Sequence, residues 1–414
     1  MSGQFRRSDA LFRRAARVIP RGIYGTRGPM LVVPGSYPLF AERGSGAYYW
    51  DADGNRYIDY LCGFGASILG YADATVDAAA QAADRNGFGF NHPTAALVEL
   101  AEFLTARIQG MQWALFGKNG SDMTSFALQV AREHTGRRTV LKAAGAYHGS
   151  YPWASPGHAG LIAEDRAHLH DFTWNDRAGM EALLATHAHD LAAVMVTPYH
   201  HPLFDDSEFS EDRFLQRLCT LAREHGAVVI SDDVRVGFRA SLDGSHTVFD
   251  FAPDLACYSK AIANGYPIAA CMGDRRLLAA AGAVFTTGTF WMQQGPMAAA
   301  IACQRRLQEI DGVAIMQRRG RQLIDGLQQV AVRHGERLHV SGLPSMPKLR
   351  FATETDFMRF QRFCAAATRR GAYFHPFHNW FLSTAHSAED IERTIEIADA
   401  ALAEVMANSD RTAP

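Results

Sequence analysis

The stretch that most constrains the fold runs from Ala227 to Ala270, because it joins two short apolar segments to one acidic and one basic residue. Its first segment, Ala227 to Ile230, is typical of a strand buried on both faces of a parallel sheet. That strand delivers Asp232 to the carboxyl edge of the sheet, where open α/β sheets bind their ligands. A second apolar segment, Leu255 to Tyr258, delivers Lys260 in the same way. A carboxylate and an amine at the ends of two neighbouring strands can hold the two ends of one small molecule.

Lys260 is one of only four lysines in a chain that contains 41 lysine and arginine residues. Arginine replaces lysine for most surface charge, but a guanidinium group stays protonated and is not a nucleophile. A single lysine of this kind is, by itself, more often a solvated loop residue. Its position after Asp232, and directly before a turn with Gly265 and Pro267, favours a chemical role.

Two segments of this stretch resemble motifs of the class III, fold type I, pyridoxal-phosphate-dependent aminotransferases. Residues 231–239, SDDVRVGFR, are similar to the aspartate motif of that family, and residues 258–267, YSKAIANGYP, are similar to its cofactor-lysine motif. The likeness extends from about Asp9 to Ala401, and within the family the pattern most resembles the glutamate-1-semialdehyde 2,1-aminomutases.

The resemblance implies an α/β fold with two domains. The large domain is expected to contain a mostly parallel seven-stranded sheet between helices, and the smaller α+β domain is expected to combine both chain ends. We expect residues 1–62 and 313–414 to form the small domain, and residues 63–312 to form the large, cofactor-binding domain.

The same resemblance assigns roles to individual residues. Lys260 would hold pyridoxal phosphate as an internal aldimine, with pyridoxamine phosphate as the aminated form, and Asp232 would bond to the pyridine nitrogen. Physical reasoning supports a binding site for the cofactor phosphate at Gly120 and Ser121. A glycine permits a tight turn, and a serine can cap a helix whose first N–H groups face an anion. The resemblance also implies Asn119, Gly120 and Ser121 at the phosphate, and Tyr147 and Val234 on the two faces of the ring. Val234 follows Asp232 by two residues and is therefore expected on the same strand face. His148 would lie beside Asp232 or the substrate, and Thr289, with Thr287 as the alternative, would reach the cofactor of the partner subunit.

Residues that could contact the substrate lie in glycine-rich or aromatic segments. Arg27 is interpreted either as a receptor for a substrate carboxylate or as a solvated loop arginine, and Phe64 either as a pocket aromatic or as ordinary packing. A lining rich in aromatic residues hints at an acceptor with an apolar body, and the residues proposed for it are Phe64, Trp153, Trp291 and Trp380. His378 stands where aminomutases keep a glutamate, and Lys118 stands where an asparagine is usual. These two departures favour transamination over a 1,2-aminomutase reaction.

The predicted function is therefore the transfer of an amino group between an amino donor and an aldehyde or ketone. A 1,2-aminomutase is the main alternative, and a racemase or epimerase on the same scaffold is a further one. A non-catalytic scaffold or nucleotide-binding protein would not need Asp232, Lys260, Gly120 and Tyr147 together. The sequence does not identify the donor or the acceptor.

Composition excludes several other classes of function. A net charge of −2 offers no basic face for nucleic acid or for an anionic membrane. The six cysteines contain no C-x-x-C pair, so we expect no disulfide framework. His200 and His201 have no acidic or cysteine partner at ligand spacing, so we expect no metal site. No apolar run approaches the length of a membrane span, and the first residues do not resemble a signal peptide. We expect a cytoplasmic homodimer.

Overall fold

The computed structural model describes residues 3–28, 32–202 and 204–409, and it divides the chain into two compact units. One unit contains Met1–Asp73 together with Ala314–Pro414, and the other contains Ala74–Val313. The sequence placed the boundaries after residues 62 and 312, so the first division in the structure falls later, after Asp73.

The N-terminal part of the first unit contains one helix, three strands and a short turn. These elements are α1 (Arg6–Ala15), β1 (Ala41–Ser45), β2 (Tyr48–Asp51), β3 (Arg56–Asp59) and the turn α2 (Cys62–Gly65). A turn that contains Asp53 and Gly54 joins β2 to β3, and Gly54 takes the positive φ of +87° that such turns require.

The second unit alternates helices and strands. Its helices are α3 (Ala74–Asp84), α4 (Ala95–Arg107), α5 (Gly120–Thr135), α6 (Arg177–His187), α7 (Phe214–Glu224), α8 (Leu278–Ala283) and α9 (Gln294–Glu309). Its strands are β4 (Trp113–Gly117), β5 (Thr139–Ala143), β6 (Leu169–Phe172), β7 (Leu191–Val196), β8 (Val228–Asp232), β9 (Leu255–Tyr258) and β10 (Ala269–Gly273).

These strands form one seven-stranded sheet in the order β4-β10-β9-β8-β7-β5-β6. Strand β10 is antiparallel to β4 and β9, and the other neighbouring pairs are parallel. The predicted mostly parallel α/β sheet is confirmed. Every residue of β7 is buried, as expected for a strand with helices on both sides.

Helices cover both faces of this sheet, and successive residues of a strand pack on opposite sides. Ile230 of β8 belongs to one buried cluster with Phe126 of α5. Its neighbour Val229 belongs to another, with Met180 of α6 and Leu218 of α7. Full burial of each such side chain stabilises the fold by roughly 1.5–3 kcal/mol. The centre of the sheet is therefore a rigid platform for the residues at its edge.

The last part of the chain, which completes the first unit, contains mainly helices. Its elements are α10 (Gly312–Arg333), β11 (Leu338–Ser341), β12 (Lys348–Phe351), α11 (Met358–Arg369), β13 (Ala372–Tyr373) and α12 (Ala388–Ser409). Strand β13 pairs in parallel with β3, which gives a four-stranded sheet in the order β1-β2-β3-β13, and β11 pairs with β12. The smaller α+β unit therefore combines both chain ends, as predicted. Among the described residues, no helix is both long and apolar enough to cross a membrane.

Candidate active site

Asp232 is a buried carboxylate at the carboxyl edge of the seven-stranded sheet, and two donors orient it. Its Oδ2 atom lies 2.8 Å from Nδ1 of His148, and its Oδ1 atom accepts a hydrogen bond from the backbone N–H of Val234 at 3.2 Å. His148 is equally buried, and within the described part of the chain its Nε2 atom has no hydrogen-bond partner. The carboxylate is therefore fixed in direction and keeps lone pairs for a ligand.

Lys260 begins a short 3₁₀ turn directly after β9, and its backbone φ is +45°. A left-handed conformation costs a residue other than glycine roughly 1–2 kcal/mol, and such strain concentrates at functional sites. The pKa of the Lys260 amine is lowered to about 8, mainly by burial and then by the positive charges of Arg235 and Arg239, whereas Asp232 opposes this change. Near pH 8 a large fraction of the amine is consequently neutral and nucleophilic.

The register of the sheet explains why these two residues lie close together. Strands β8 and β9 are parallel neighbours, and Asp232, the last residue of β8, is the register partner of Cys257. Lys260 follows the end of β9 by two residues. Both side chains therefore leave the same edge of the sheet, as the sequence predicted.

The N-terminus of α5 provides amide groups for an anion. Asn119 is its N-cap, and Gly120 and Ser121 are its first residues. Asp122 accepts hydrogen bonds from the backbone N–H groups of Lys118 and Asn119 at 3.0 and 2.8 Å. Because the first N–H groups of a helix have no acceptor inside it, those of Gly120 and Ser121 can bind a phosphate. The sequence placed the cap at Ser121, but the Asp122 carboxylate accepts hydrogen bonds from the chain before the helix, and the cap is Asn119, two residues earlier.

Two close approaches shape this helix start. A Cβ atom on Gly120 would lie 2.8 Å from Cγ1 of Val234, and one on Gly149 would lie 2.6 Å from Oγ of Ser121. The Ser121 hydroxyl also accepts a hydrogen bond from the N–H of Ser150 at 3.1 Å. Val234 lies in the turn after β8, not on the strand whose alternation we used to place it, because β8 ends at Asp232.

Tyr147 is half-buried and lies near the same charged groups. Burial raises the pKa of its hydroxyl, Arg235 opposes the rise, and Asp232 adds to it. Tyr147 precedes His148, whose imidazole contacts Asp232. The structure thus gathers Tyr147, His148 and Asp232 in one place, from segments that are far apart in the sequence.

These features fit pyridoxal phosphate. The absence of a side chain at Gly120 lets the start of α5 pack closely against Val234, and the first N–H groups of this helix can take the phosphate. The buried Asp232 can accept a hydrogen bond from a protonated pyridine nitrogen, and the Lys260 amine can form a bond to an aldehyde carbon. Each of the three polar parts of the cofactor therefore has a chemically suitable partner in this unit.

The predicted substrate residues are divided between the two units. Trp153 lies in the same unit as the cofactor-binding candidates, and its Nε1 atom donates to Oγ of Ser125 at 2.8 Å. The other three lie together in the unit that contains both chain ends. The guanidinium carbon of Arg27 is 5.4 Å from the centre of the Phe64 ring, and that ring meets His378 edge to face at 5.3 Å.

Thr289 lies in an exposed turn before α9. The neighbouring side chains of Phe285 and Phe290 are 89% and 62% exposed. Large apolar side chains left open in this way are typical of a surface that meets another protein.

Comparison with known proteins agrees with this site. The family model described as aminotransferase class-III matches residues 32–402. An aminopentol aminotransferase from Sphingopyxis macrogoltabida is 41% identical over 97% of this chain and 94% of its own length. A glutamate-1-semialdehyde 2,1-aminomutase from Nitrosomonas europaea is 31% identical over 98% of each chain. Among solved structures, the internal aldimine form of the FumI protein of Sphingopyxis sp. MTA144 with pyridoxal phosphate has a TM-score of 0.96 and 40% identity, and the match covers 99% of this chain and 98% of that one.

The sheet, with an acidic residue and a lysine at its carboxyl edge, defines a fold type I enzyme that uses pyridoxal phosphate. More specifically, the chain belongs to the class III aminotransferase family and is a pyridoxal-phosphate-dependent aminotransferase. The aminomutases, which the sequence most resembled in pattern, are related members of the same family.

Reasoning from the sequence missed one supporting residue of the site. The buried hydroxyl of Thr124 donates to the backbone carbonyl of His148 at 2.8 Å and so fixes the segment that orients Asp232. Its only signal in the sequence was its position three residues after Ser121 on the same helix. That spacing does not reveal a partner 24 residues away.

Proposed function

We propose that this aminotransferase accepts an aminopentol or a similar amine as its amino donor, and that Lys260 and Asp232 are its catalytic residues. The sequence identity of 41% to an aminopentol aminotransferase, over nearly the whole chain, supports the donor. One observation supports the catalytic residues. A buried carboxylate ends one strand, and a lysine with a left-handed backbone conformation and a lowered pKa follows the end of the adjacent parallel strand.

Lys260 performs two tasks in this proposal. Its neutral amine would hold the cofactor through the aldehyde group, and the same Nζ atom, when it is not bonded to the cofactor, would accept a proton from the substrate carbon. Both tasks need a free lone pair. Burial and the positive charge of Arg235 keep the pKa near 8, so that the lone pair is available close to neutral pH.

Pyridoxal phosphate supplies an electron sink for the negative charge that develops on the substrate carbon. Asp232 keeps a proton on the pyridine nitrogen by accepting a charge-assisted hydrogen bond from it. His148, at 2.8 Å, holds the carboxylate in the required direction. His148 is therefore a positioning residue that acts through Asp232.

The remaining cofactor contacts come from the start of α5 and the two segments beside it. We assign the phosphate to Asn119, Gly120 and Ser121, and the two faces of the ring to Tyr147 and Val234. The packing of Gly120 against Val234 supports this assignment, because it joins the phosphate-binding amides to the segment after Asp232.

Transamination is favoured over the aminomutase reaction at one position. His378 stands where aminomutases keep a glutamate, and its Nδ1 atom is engaged with the backbone carbonyl of Asn379 at 2.9 Å. His378 therefore offers no carboxylate at the position where the aminomutases have one. Arg27, Phe64 and Trp153 are proposed as substrate contacts, with Arg27 receiving any carboxylate that the acceptor carries.

We also propose a cytoplasmic homodimer in which Thr289 contacts the phosphate of the partner subunit's cofactor. The exposure of Phe285 and Phe290 on both sides of Thr289 supports a protein-covered surface here. Six free and buried cysteines support a reducing compartment.

The test is an absorbance spectrum of the purified protein before and after addition of amino donors. The wild-type protein should show a visible band of bound cofactor that bleaches with an aminopentol. Lys260→Ala should lack that band, while Asp232→Asn should keep it and lose at least about 100-fold in turnover, as expected when one preorganised charged partner is removed.

A band that persists with every amine would contradict the donor and favour a racemase. A normal band in Lys260→Ala would remove this lysine from the mechanism. Unchanged turnover in Asp232→Asn would show that this aspartate is not a catalytic residue.

A further inference from the structure

The unit formed by Met1–Asp73 and Ala314–Pro414 contains a cavity of about 430 Å³. This size lies in the range of small-molecule sites, which are roughly 300–1,000 Å³. Aromatic side chains form much of its wall, and these are Tyr37, Phe40, Tyr49, Phe64, Tyr71 and Tyr373. Such a wall suits an organic molecule with an apolar body.

The four tyrosines of this wall differ in what their hydroxyls do. The hydroxyl of Tyr37 donates to the carbonyl of Phe374 at 2.9 Å, and that of Tyr71 donates to Asp59 at 2.6 Å. Within residues 3–28, 32–202 and 204–409, the hydroxyls of Tyr49 and Tyr373 have no hydrogen-bond partner. Two phenol groups are thus left for a ligand.

Packing holds these two rings in place. Tyr49 stacks on Tyr57 at 5.0 Å between ring centres, and it meets Tyr373 edge to face at 5.6 Å. Tyr373 also meets Tyr37 edge to face at 5.7 Å. Because the rings are already ordered, a hydrogen bond to either hydroxyl would cost little side-chain entropy.

Both phenols stay neutral. Burial raises the pKa of Tyr49 well above its usual value, and Tyr373 and Asp59 raise it further. Burial and then Asp59 raise the pKa of Tyr373 in the same way. Each hydroxyl can therefore donate one hydrogen bond and accept another, but it offers no charge.

The charged groups of the wall already interact with the protein. Asp59 accepts hydrogen bonds from the backbone N–H groups of Leu61 and Cys62 at 2.8 and 3.0 Å. Glu42 forms an ion pair with Arg7 at 3.7 Å. Two arginines also line the cavity and lie over aromatic rings, Arg27 over Phe64 at 5.4 Å and Arg43 over Trp50 at 3.5 Å from the guanidinium carbon to the ring centre. The acidic groups of the wall therefore have partners within the protein, and the tyrosine hydroxyls are its uncharged polar groups.

The wall is completed by a strained turn that presents Phe64. The four residues of α2 have positive φ angles, which are +49° at Cys62, +61° at Gly63, +61° at Phe64 and +84° at Gly65. Two of these four are not glycine, so the turn stores strain and needs an anchor. The hydrogen bonds from Leu61 and Cys62 to Asp59 supply that anchor.

We propose that this cavity is a binding site for an organic molecule whose apolar body carries hydroxyl groups, and that Tyr49 and Tyr373 bind those hydroxyls. The molecule is either part of the amine substrate or a separate ligand. Both sources share one chemistry, which is an apolar surface for the aromatic wall and a hydroxyl for each phenol. The proposal does not depend on the catalytic roles of Lys260 and Asp232.

The test is a ligand-observed NMR titration of the holoenzyme with 1,2-octanediol, and with octanoate as a charged probe of equal chain length. The wild-type protein should bind the diol, and octanoate reports any contribution of Arg27, which also lines the cavity. Tyr49→Phe and Tyr373→Phe should each weaken diol binding roughly 3- to 10-fold, the usual effect of one lost neutral hydrogen bond. Tyr48→Phe is the matched control, since Tyr48 precedes Tyr49 on β2, bonds to Asp390 and does not line the cavity.

Equal binding by wild type and both single variants, or loss of binding in Tyr48→Phe alone, would overturn the proposal. Thermal melting of each variant confirms that it is folded. Competition between the diol and the amino donor in the spectral assay would identify the substrate as the source. Diol binding without competition would identify a separate ligand.

Discussion

Gly120 lies where the start of α5 meets Val234, so its replacement by alanine tests the cofactor site through a single contact. The new Cβ atom would lie 2.8 and 2.9 Å from Cγ1 and Cγ2 of Val234. Carbon atoms pack best at about 3.5–4.0 Å, so the two segments would have to separate by roughly 0.7 Å. Overpacking by one methyl group costs about 1–3 kcal/mol.

We expect much of this cost to appear as weaker cofactor binding, because the separation displaces the N–H groups of Gly120 and Ser121. Each 1.4 kcal/mol corresponds to about tenfold in the dissociation constant. Val234→Ala removes both clashing atoms and leaves the Cβ of residue 234, which is 3.5 Å from the new methyl carbon. The double variant should therefore bind the cofactor better than Gly120→Ala alone.

The assay is a titration of the cofactor-free protein with pyridoxal phosphate, combined with thermal melting, for all four members of this double-mutant cycle. The coupling energy should fall within about 0.5–3 kcal/mol, as for residues in direct contact. Gly282→Ala is the control, because a Cβ atom there meets nothing within 4 Å. Additive effects of the two substitutions would refute the reasoning, since they would show that the contact with Val234 is not the cause.

Two further outcomes follow from the structure. In the cofactor-free protein, the rate at which trinitrobenzenesulfonate modifies Lys260, followed by mass spectrometry, should rise with pH around a midpoint near 8. Arg235→Met should move that midpoint upward, because it removes a positive neighbour, and a midpoint that is unchanged or lower would contradict the assigned cause. Phe290→Asp should yield monomers in size-exclusion chromatography with light scattering, whereas Val332→Asp, which alters an equally exposed apolar residue of α10, should not. An unchanged assembly in Phe290→Asp would place the subunit interface elsewhere.

The position of Asp232 and Lys260 could be predicted from the sequence because its signals are local. An apolar run of strand length, followed by an acidic residue or a lysine, places both side chains at the carboxyl edge of a parallel sheet. The helix start proposed to bind the phosphate was similarly recognisable in Asn119, Gly120 and Ser121. Even there the cap was placed two residues late, since the hydrogen bond from the Asn119 N–H to Asp122 is a detail of side-chain conformation.

Contacts between distant segments could not be predicted. His148 and Asp232 are 84 residues apart, and the sequence left open whether the histidine supports that carboxylate or the substrate. Val234 was placed by strand alternation, but the strand ends at Asp232. The sequence also gave no signal for the cavity around Tyr49 and Tyr373.

By itself, the sequence determined which side chains lie at the sheet edge, since a buried strand and the residue after it follow from a pattern of neighbours along the chain. Only the tertiary structure decided which residues orient Asp232, which charges lower the pKa of Lys260, and which phenols remain unpaired. The physical reason is that hydrogen bonding, burial and electrostatic interaction act over a few ångströms in space, at separations along the chain that no local pattern records.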